Sequence, residues 1–215
     1  MKRQYHIQIT TDVIQDRVSP HVMEAIVRAN TRQDNLRGQI SHPEYHFDDN
    51  AFKEGWAYVA RQGAIMLETV GARRDPRPAW QAMGRLTHAV QDFYAHSNYL
   101  NLWQAQYKPG EMPPPAEVNG LDSALLRHPD LRSGRIYYPL EALTFVPGLA
   151  NIVRRWLPRD SHAWMNLDTP DRGPLFPYAL AAARQHTLVA FDRVTRQLHK
   201  TTGASGLRFF TGSQR

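Results

Sequence analysis

The apolar residues between positions 52 and 70 recur at alternating steps of four and three. Residues at these steps share one face of an α-helix, so the stretch predicts a helix with a buried stripe, which Gly71 is placed to end. A second stripe follows Ser19–Pro20, where a capping hydroxyl precedes a proline suited to the first helical turn. Further helices are predicted over about 77–99, 141–157 and 177–200. Since no stretch alternates as a strand would, the chain predicts an all-α fold.

The helical pattern fails after Asn101, where Lys-Pro-Gly and Pro113–Pro115 mark a long irregular excursion. A chain of 215 residues, 42% of them hydrophobic, is expected to form one helical bundle over 1–215, with 101–158 as an irregular or inserted region. No apolar run reaches the roughly 18–20 residues of a membrane span. No apolar signal core follows the charged N-terminus. We therefore expect a protein that is not transmembrane and that is cytoplasmic or exported without a visible signal.

Composition restricts the chemistry that the chain can perform. Cysteine is absent and histidine occurs ten times, so any transition metal would be held by imidazole and carboxylate groups. Lys and Arg exceed Asp and Glu by 26 − 20 = 6 positive charges. This balance permits a phosphate-bearing partner, because arginine grips phosphate through two hydrogen bonds.

The most specific motif is the segment LTHAVQDFYAHSNYL at positions 86–100. His88, Asp92 and His96 stand four residues apart, so all three project from one side of a helix. Two imidazoles and a carboxylate on a rigid element suit zinc. The alternative is an ordinary polar face with an ion pair between Asp92 and one histidine. We favour metal binding, because a third candidate ligand, His96, follows Asp92 at the same spacing of four residues.

The same segment closely resembles the central helix of HET-C proteins, within the wider zinc-dependent phospholipase C and single-strand nuclease group. Weaker resemblances occur in family order at YHIQITTDVI, VSPHVMEAIVRANTRQDN, SHPEYHFDDNAF and SHAWMNLDTPDRG. The resemblance implies a helical bundle of the phospholipase C type with two or three zinc ions in one cleft.

Residue by residue, the resemblance implies three metal sites. The first would use Asp34, His46, His88 and Asp92. Asp92 would bridge to a second ion that also binds His6. His96 and His162 would hold a third ion, completed by a carboxylate near Asn166 or by Asp168. The clustered ions would lower the pKa of a bridging water, with Asp34 and Asp92 in catalytic roles.

The function that this resemblance implies is metal-dependent hydrolysis of a phosphodiester, most plainly of a phospholipid headgroup. A nuclease is one alternative, and the basic charge favours a nucleic-acid partner. Against it, the chain lacks the interleaved aromatic and basic residues of a single-strand platform. A second alternative is a non-catalytic HET-C-like interaction or cell-death protein with a structural metal cluster.

Other residues have simpler interpretations. His42 is expected in a loop, Asp48 and Asp49 at a helix N-terminus, and His186 in the core, while Asp48 could instead orient His46. His128 is expected to belong to the excursion, outside the site.

The 101–158 region also suggests peripheral membrane contact, because apolar side chains stand beside Arg154 and Arg155. The alternative there is a buried helix pair kinked at Pro147. The apolar candidates are Leu102, Trp103, Phe145, Val146, Leu149 and Trp156.

Overall fold

The helix that carries His88, Asp92 and His96 runs through the middle of the protein. The computed structural model describes residues 1–35, 38, 41–108, 110–146 and 148–213. In it this helix spans Arg77–His96, and every residue from Leu86 to His96 is buried. A helix buried on all sides must be covered by other helices. Numbered in chain order, the described helices are α1 (Arg3–Ile14), α2 (Pro20–Thr31), α3 (Pro43–His46), α4 (Phe52–Ala72), α5 (Arg77–His96), α6 (Tyr99–Gln104), α7 (Ala150–Val153), α8 (His162–Met165) and α9 (Phe176–Thr211).

Helices α2, α4 and α9 pack directly on α5, and α1 packs on α2 and α9. Two apolar clusters form the interior, one toward each end of α5. The cluster toward the C-terminal end of α5 is largely aromatic and contains Phe47, Phe93 and Tyr94. The other is mostly aliphatic and includes Ile26 and Met83. His88, Asp92 and His96 are themselves buried on this helix.

The helices predicted after Ser19–Pro20 and over 52–70, 77–99 and 177–200 are confirmed, with differences at their ends. The helix predicted to reach Tyr99 ends at His96, because Ser97 is extended and pairs with Ser133 in an isolated bridge. The last helix does not stop before Gly203. It kinks there, at a positive φ of 70° that glycine adopts readily, and continues to Thr211.

The 101–158 region differs more from its prediction. Beyond α6 it is a series of short turns. The helix expected over 141–157 is replaced by the 3₁₀ helix Leu140–Phe145, the single turn α7 and the 3₁₀ turn Arg154–Trp156. The predicted kink at Pro147 lies outside the described residues.

The all-α class and the single helical domain are confirmed. Within the described part of the chain, extended pairing is limited to two isolated bridges, Ser97 with Ser133 and Arg135 with Ser161. None of the described helices is both long and apolar enough to cross a bilayer, as expected. The phospholipase C type of bundle is not confirmed.

Candidate metal centre

Four separate segments bring imidazole and carboxylate groups to one side of α5. His6 comes from α1, Asp34 follows α2, and His46 ends α3. The segment after Ser133 adds His162 from α8 and Asp168 just beyond it. Together with His88, Asp92 and His96, these residues form one nearly continuous buried cluster.

The tightest part of the cluster, called site A, consists of Asp34, His46, His88 and Asp92. Nδ1 of His46 lies 3.1 Å from Nε2 of His88, and both nitrogens face Oδ2 of Asp92, at 2.8 and 3.0 Å respectively. Oδ1 of Asp34 lies 3.7 Å from Nε2 of His88. Zinc bonds to nitrogen and oxygen of about 2.0–2.1 Å place tetrahedral ligands about 3.3 Å apart. The spacing of the His46, His88 and Asp92 donors therefore matches one small ion, while the four groups whose ligand atoms all lie within 4.8 Å of one another are His6, Asp34, His88 and Asp92.

The second oxygen of Asp92 faces a different set of groups. Oδ1 lies 3.1 Å from Nε2 of His6 and accepts a hydrogen bond from the α-amino group of Met1. That amino group also lies 3.1 Å from Oδ1 of Asp168. Asp92 thus contacts both His6 and the site A histidines; the bridging of two ions that the resemblance implied for it stays a prediction.

A second group of donors, called site B, consists of Asp48, His96 and His162. Oδ1 of Asp48 lies 2.9 Å from Nδ1 of His162 and 3.4 Å from Nδ1 of His96. The other nitrogen of His96, Nε2, lies 3.2 Å from Oδ1 of Asp168. Site B therefore offers two imidazoles and one carboxylate, with Asp168 on the far side of His96.

Several donor atoms in the cluster are buried without a hydrogen-bond partner among the described residues. They are Nε2 of His6, Oδ2 of Asp34, Nε2 of His46 and Nδ1 of His88. Burying an unpaired polar atom costs about 1–3 kcal/mol, so folded proteins rarely leave several of them together. A cation coordinated by His6 and Asp34 would offset this cost for their two atoms, whereas the unpaired nitrogens of His46 and His88 are not the ones that face Asp92. The donor set fits a divalent transition metal.

Electrostatics keep His88, Asp92 and Asp48 in metal-binding protonation states but favour protonation of His96 and His162. Burial lowers the pKa of both histidines, yet Asp92 and Asp48 raise the pKa of His96 well above its usual range, and Asp48 raises that of His162. Burial lowers the pKa of His88 to about 4, so its ring is neutral near pH 7. Burial alone would raise the pKa of Asp92, but the Met1 ammonium and the surrounding histidines hold it well below its usual range. Burial opposes ionisation of Asp48 as well, yet His162 and His96 lower its pKa. Ionised carboxylates and a neutral imidazole are the forms that bind metals.

A buried polar network orients His6, and sequence reasoning did not identify it. Nδ1 of His6 lies 2.7 Å from Oε1 of Gln91. The Gln91 amide in turn donates to Thr10 and Thr187, at 3.0 and 3.2 Å. Asn30 donates to Oε1 of Gln91 at 3.2 Å. Such outer contacts fix the ring orientation of a metal-binding histidine and leave the other nitrogen available. The sequence feature that could have revealed this network is Gln91, a polar residue next to Asp92 on the buried part of α5.

His162 is held in place by two features of the segment before it. The buried carboxylate of Glu141 accepts hydrogen bonds from the backbone N–H groups of Ala163 and Tyr137. Gly134 passes close to α8, where an added Cβ would lie 2.5 Å from Cα of His162. Only glycine allows this approach, which brings the His162 ring against Asp48.

All eight predicted ligands lie in the cluster, but the third site differs from the one implied. The carboxylate that faces both His96 and His162 is that of Asp48, whereas Asp168 contacts only His96 of this pair. Asn166 turns away and donates to the backbone oxygen of His162. The N-cap interpretation of Asp48 and Asp49 is wrong, since α4 has no side-chain cap and Asp49 accepts from the Ile136 N–H.

The remaining histidines considered above lie elsewhere. His42 stacks on Tyr45 and contacts Glu44, as expected of a loop residue. His128 accepts a backbone hydrogen bond from Asp130 in the excursion. His186 packs near Trp56, and its Nδ1 lies 2.9 Å from the Tyr94 hydroxyl.

Comparison with known proteins gives a family for this sequence. Residues 6–123 match the model of the VWA7 N-terminal domain. Human von Willebrand factor A domain-containing protein 7 is 37% identical over 97 residues, which are 45% of this chain and 11% of the human protein. The rat protein of the same name is 36% identical over 94 residues, 43% of this chain and 10% of its own. This chain therefore spans about a tenth of the length of these relatives. No solved structure matches it significantly.

These matches overturn part of the sequence interpretation. They lie with the VWA7 N-terminal domain and not with the zinc phospholipase C and nuclease group, so the identification as a HET-C-like member is wrong. The predictions of a phospholipase C-like hydrolase and of a nuclease depended on that resemblance and are wrong with it. The catalytic roles given to Asp34 and Asp92 lose their basis for the same reason. The short motif on α5 led to the wrong family because three residues at helical spacing do not by themselves identify a family or a reaction.

Proposed function

Since the chain belongs to the VWA7 N-terminal domain family, we propose that it is a metal-binding helical module whose ions hold its segments together. Site A would bind a zinc ion through Asp34, His46, His88 and Asp92. Site B would bind a second ion through Asp48, His96 and His162. When bound, each ion supplies charge neutralisation and cross-linking of the segments that carry its ligands.

The observation that carries this proposal is the donor set of site A. Its groups on His46, His88 and Asp92 lie 2.8–3.1 Å apart, and Asp34 lies 3.7 Å from His88. His6, Asp34, His88 and Asp92 also offer ligand atoms that all lie within 4.8 Å of one another. Structural zinc sites are closed by four protein ligands, whereas catalytic sites keep an open position. Four ligands supplied by the chain itself therefore favour a structural role.

The size of the pocket beside the cluster supports the same role. The pocket lined by Asp48, His96, His162 and Tyr138 encloses about 70 Å³. Pockets for small-molecule ligands are typically roughly 300–1,000 Å³. This volume suits an ion with a few waters better than an organic substrate.

The relatives suggest where such a module would be used. Their name states that they contain a von Willebrand factor A domain, and this chain corresponds to about a tenth of their length. We propose that the module serves as a metal-stabilised unit in longer proteins of this kind. A buried cluster suits that use, because it stabilises the fold without occupying the surface.

Elemental analysis combined with thermal unfolding tests the proposal. The protein purified without chelator is expected to hold zinc or a similar divalent ion. Removing the ion should lower Tm, since a ligand at 100 times its Kd stabilises the folded state by about 2.7 kcal/mol. His88→Gln should lose the site A ion, whereas His42→Gln, a matched histidine outside the cluster, should retain it. A protein that binds no divalent ion, or whose Tm is unchanged by chelation, would overturn the proposal.

A further inference from the structure

The exposed apolar side chains of this protein are concentrated in one segment. Among the described residues, every large hydrophobic residue classed as exposed lies between positions 138 and 156, except Tyr107. We call this set the apolar ridge. Its members are Tyr138, Leu140, Leu143, Val146, Leu149, Ile152 and Trp156. Scattered exposed hydrophobics are normal in proteins, but a contiguous group marks an interaction surface.

The local backbone explains how the ridge is presented. Leu140 and Leu143 lie on one face of the 3₁₀ helix Leu140–Phe145, because residues three apart eclipse each other in that helix. Val146, Leu149 and Ile152 continue the same step of three along the sequence. The apolar step of three thus coincides with the helix period only over Leu140–Phe145, since Val146 is extended and Ile152 lies in α7.

The ridge residues are not part of the protein interior, because the same region forms a separate small core. Val153, Leu157 and Ala163 turn inward from the same region and form a small buried cluster with Tyr137 and Trp164. Trp156 is 78% exposed, Tyr138 70% and Ile152 59%. Side chains with this exposure project into solvent. Residues that anchor a protein in a membrane project in this way, whereas residues that line a groove do not.

The charges around the ridge are positive. Arg154 and Arg159 stack on Trp164, each with its guanidinium carbon 3.8 Å from the ring centre, and Arg155 is exposed. The one acidic residue between positions 136 and 159 is Glu141, which is buried and accepts backbone hydrogen bonds. Asp160, next to Arg159, is exposed, and its carboxylate accepts a hydrogen bond from Tyr137 and pairs with Arg135. The ridge therefore combines apolar anchors with arginine, and its nearest exposed carboxylate is already paired.

We propose that the apolar ridge docks on the surface of an anionic lipid bilayer. Tryptophan and tyrosine favour the membrane–water interface, where an apolar ring and a polar tip are both satisfied. Adjacent arginines are attracted to anionic headgroups. The described helices include none that spans a bilayer, so this contact is peripheral. The proposal does not depend on metal binding.

The ridge agrees only in part with the sequence expectation of membrane contact. Val146, Leu149 and Trp156 are exposed as that expectation requires, and the alternative of a buried helix pair is wrong for them. Trp103 is buried in the aromatic core and Leu102 is partly buried, so neither belongs to the ridge. The Phe145 side chain lies outside what the structure describes.

Co-sedimentation of the purified protein with vesicles tests the proposal. We expect binding to phosphatidylcholine vesicles containing phosphatidylserine to exceed binding to pure phosphatidylcholine by roughly tenfold, and to weaken as salt is added. Trp156→Ser and Arg155→Gln should each weaken it several-fold. Tyr107→Ser and Arg196→Gln are the matched controls, an exposed aromatic and an exposed arginine outside the ridge, and should leave it unchanged.

A fluorescence measurement separates insertion from adhesion by charge. Brominated lipids quench tryptophan that enters the bilayer, so the protein should be quenched on binding. Trp156→Phe keeps an apolar anchor and should bind while losing much of that quenching. Absence of vesicle binding would overturn the proposal, as would equal quenching in both proteins. Concentration-dependent dimerisation that Trp156→Ser abolishes, without vesicle binding, would instead identify a self-association surface and would also overturn it.

Discussion

At the scale of the residue, Asp92 connects the parts of the cluster. One oxygen contacts His46 and His88, and the other contacts His6 and the Met1 amino group. The sequence could place Asp92 beside His88 and His96, because spacing on one helix is local information. It could not show that Asp48 faces His96 and His162, because that contact depends on how the segment after Ser133 folds back.

Replacing Asp92 tests this connecting role. Asp92→Asn keeps the shape of the side chain but removes the charge that offsets the metal. We expect zinc affinity at site A to fall roughly 100-fold, which is about 2.7 kcal/mol. Isothermal titration of the metal-free protein with zinc measures this. Asp192→Asn, on the surface of α9, is the control and should bind zinc as the wild type does. Equal affinities in all three proteins would contradict the assignment of Asp92 as a ligand.

His186 provides a pH-dependent prediction outside the cluster. Burial, and to a lesser extent Arg193, lower its pKa from about 6.5 to about 4. Between these values the unfolded state binds more protons, so the contribution of His186 to stability falls as pH drops through 6.5. His186→Gln should remove this loss. Urea unfolding at pH 7 and pH 5 should show the wild type losing about 1–2 kcal/mol more than the variant. Parallel losses would show that His186 does not titrate in this range.

At the scale of the element, helix periodicity predicted α2, α4, α5 and α9 because each packs one apolar face, or more, on its neighbours. The same reasoning failed between residues 138 and 157. There a 3₁₀ helix ends at Phe145 and short turns follow, and most of the apolar side chains at steps of three face outward. Periodicity reveals a stripe, but it does not say whether a protein interior or another surface covers it.

The crossing of α2 and α5 depends on Gly84. A Cβ at this position would lie 2.7 Å from Cβ of Ala29 and from the Asn30 backbone nitrogen, and closer still to the Ile26 oxygen. Gly84→Ala should therefore separate the helices and destabilise the fold by about 1–3 kcal/mol. Gly63→Ala, in the middle of α4, meets nothing within 4 Å. It should stabilise the fold by about 0.5–1 kcal/mol through helix propensity. Chemical denaturation measures both, and the same sign for the two variants would contradict this account of the crossing.

At the scale of the whole molecule, the cluster of histidines and aspartates joins two unequal parts. The large part is formed by the long helices around α5, with two extensive apolar clusters. The segment 133–168 has a small core of its own, built on Val153, Leu157 and Ala163. It meets the helices through the Ser97–Ser133 bridge and through the contacts of His162 and Asp168 with the cluster. A small core provides little burial, so this segment should depend on site B for its order.

Hydrogen exchange tests that dependence. His162→Gln removes the site B ligand that the segment itself supplies and leaves the four residues of site A intact. In the zinc-loaded protein we expect faster exchange in peptides from 133–168, with little change in α4 and α9. His128→Gln, in the excursion but outside the cluster, should exchange as the wild type does. After chelation the wild type and His162→Gln should converge in this segment, because both then lack the site B ion. Faster exchange spread evenly over α4, α5 and α9 would show that His162 supports the whole fold and not this segment alone.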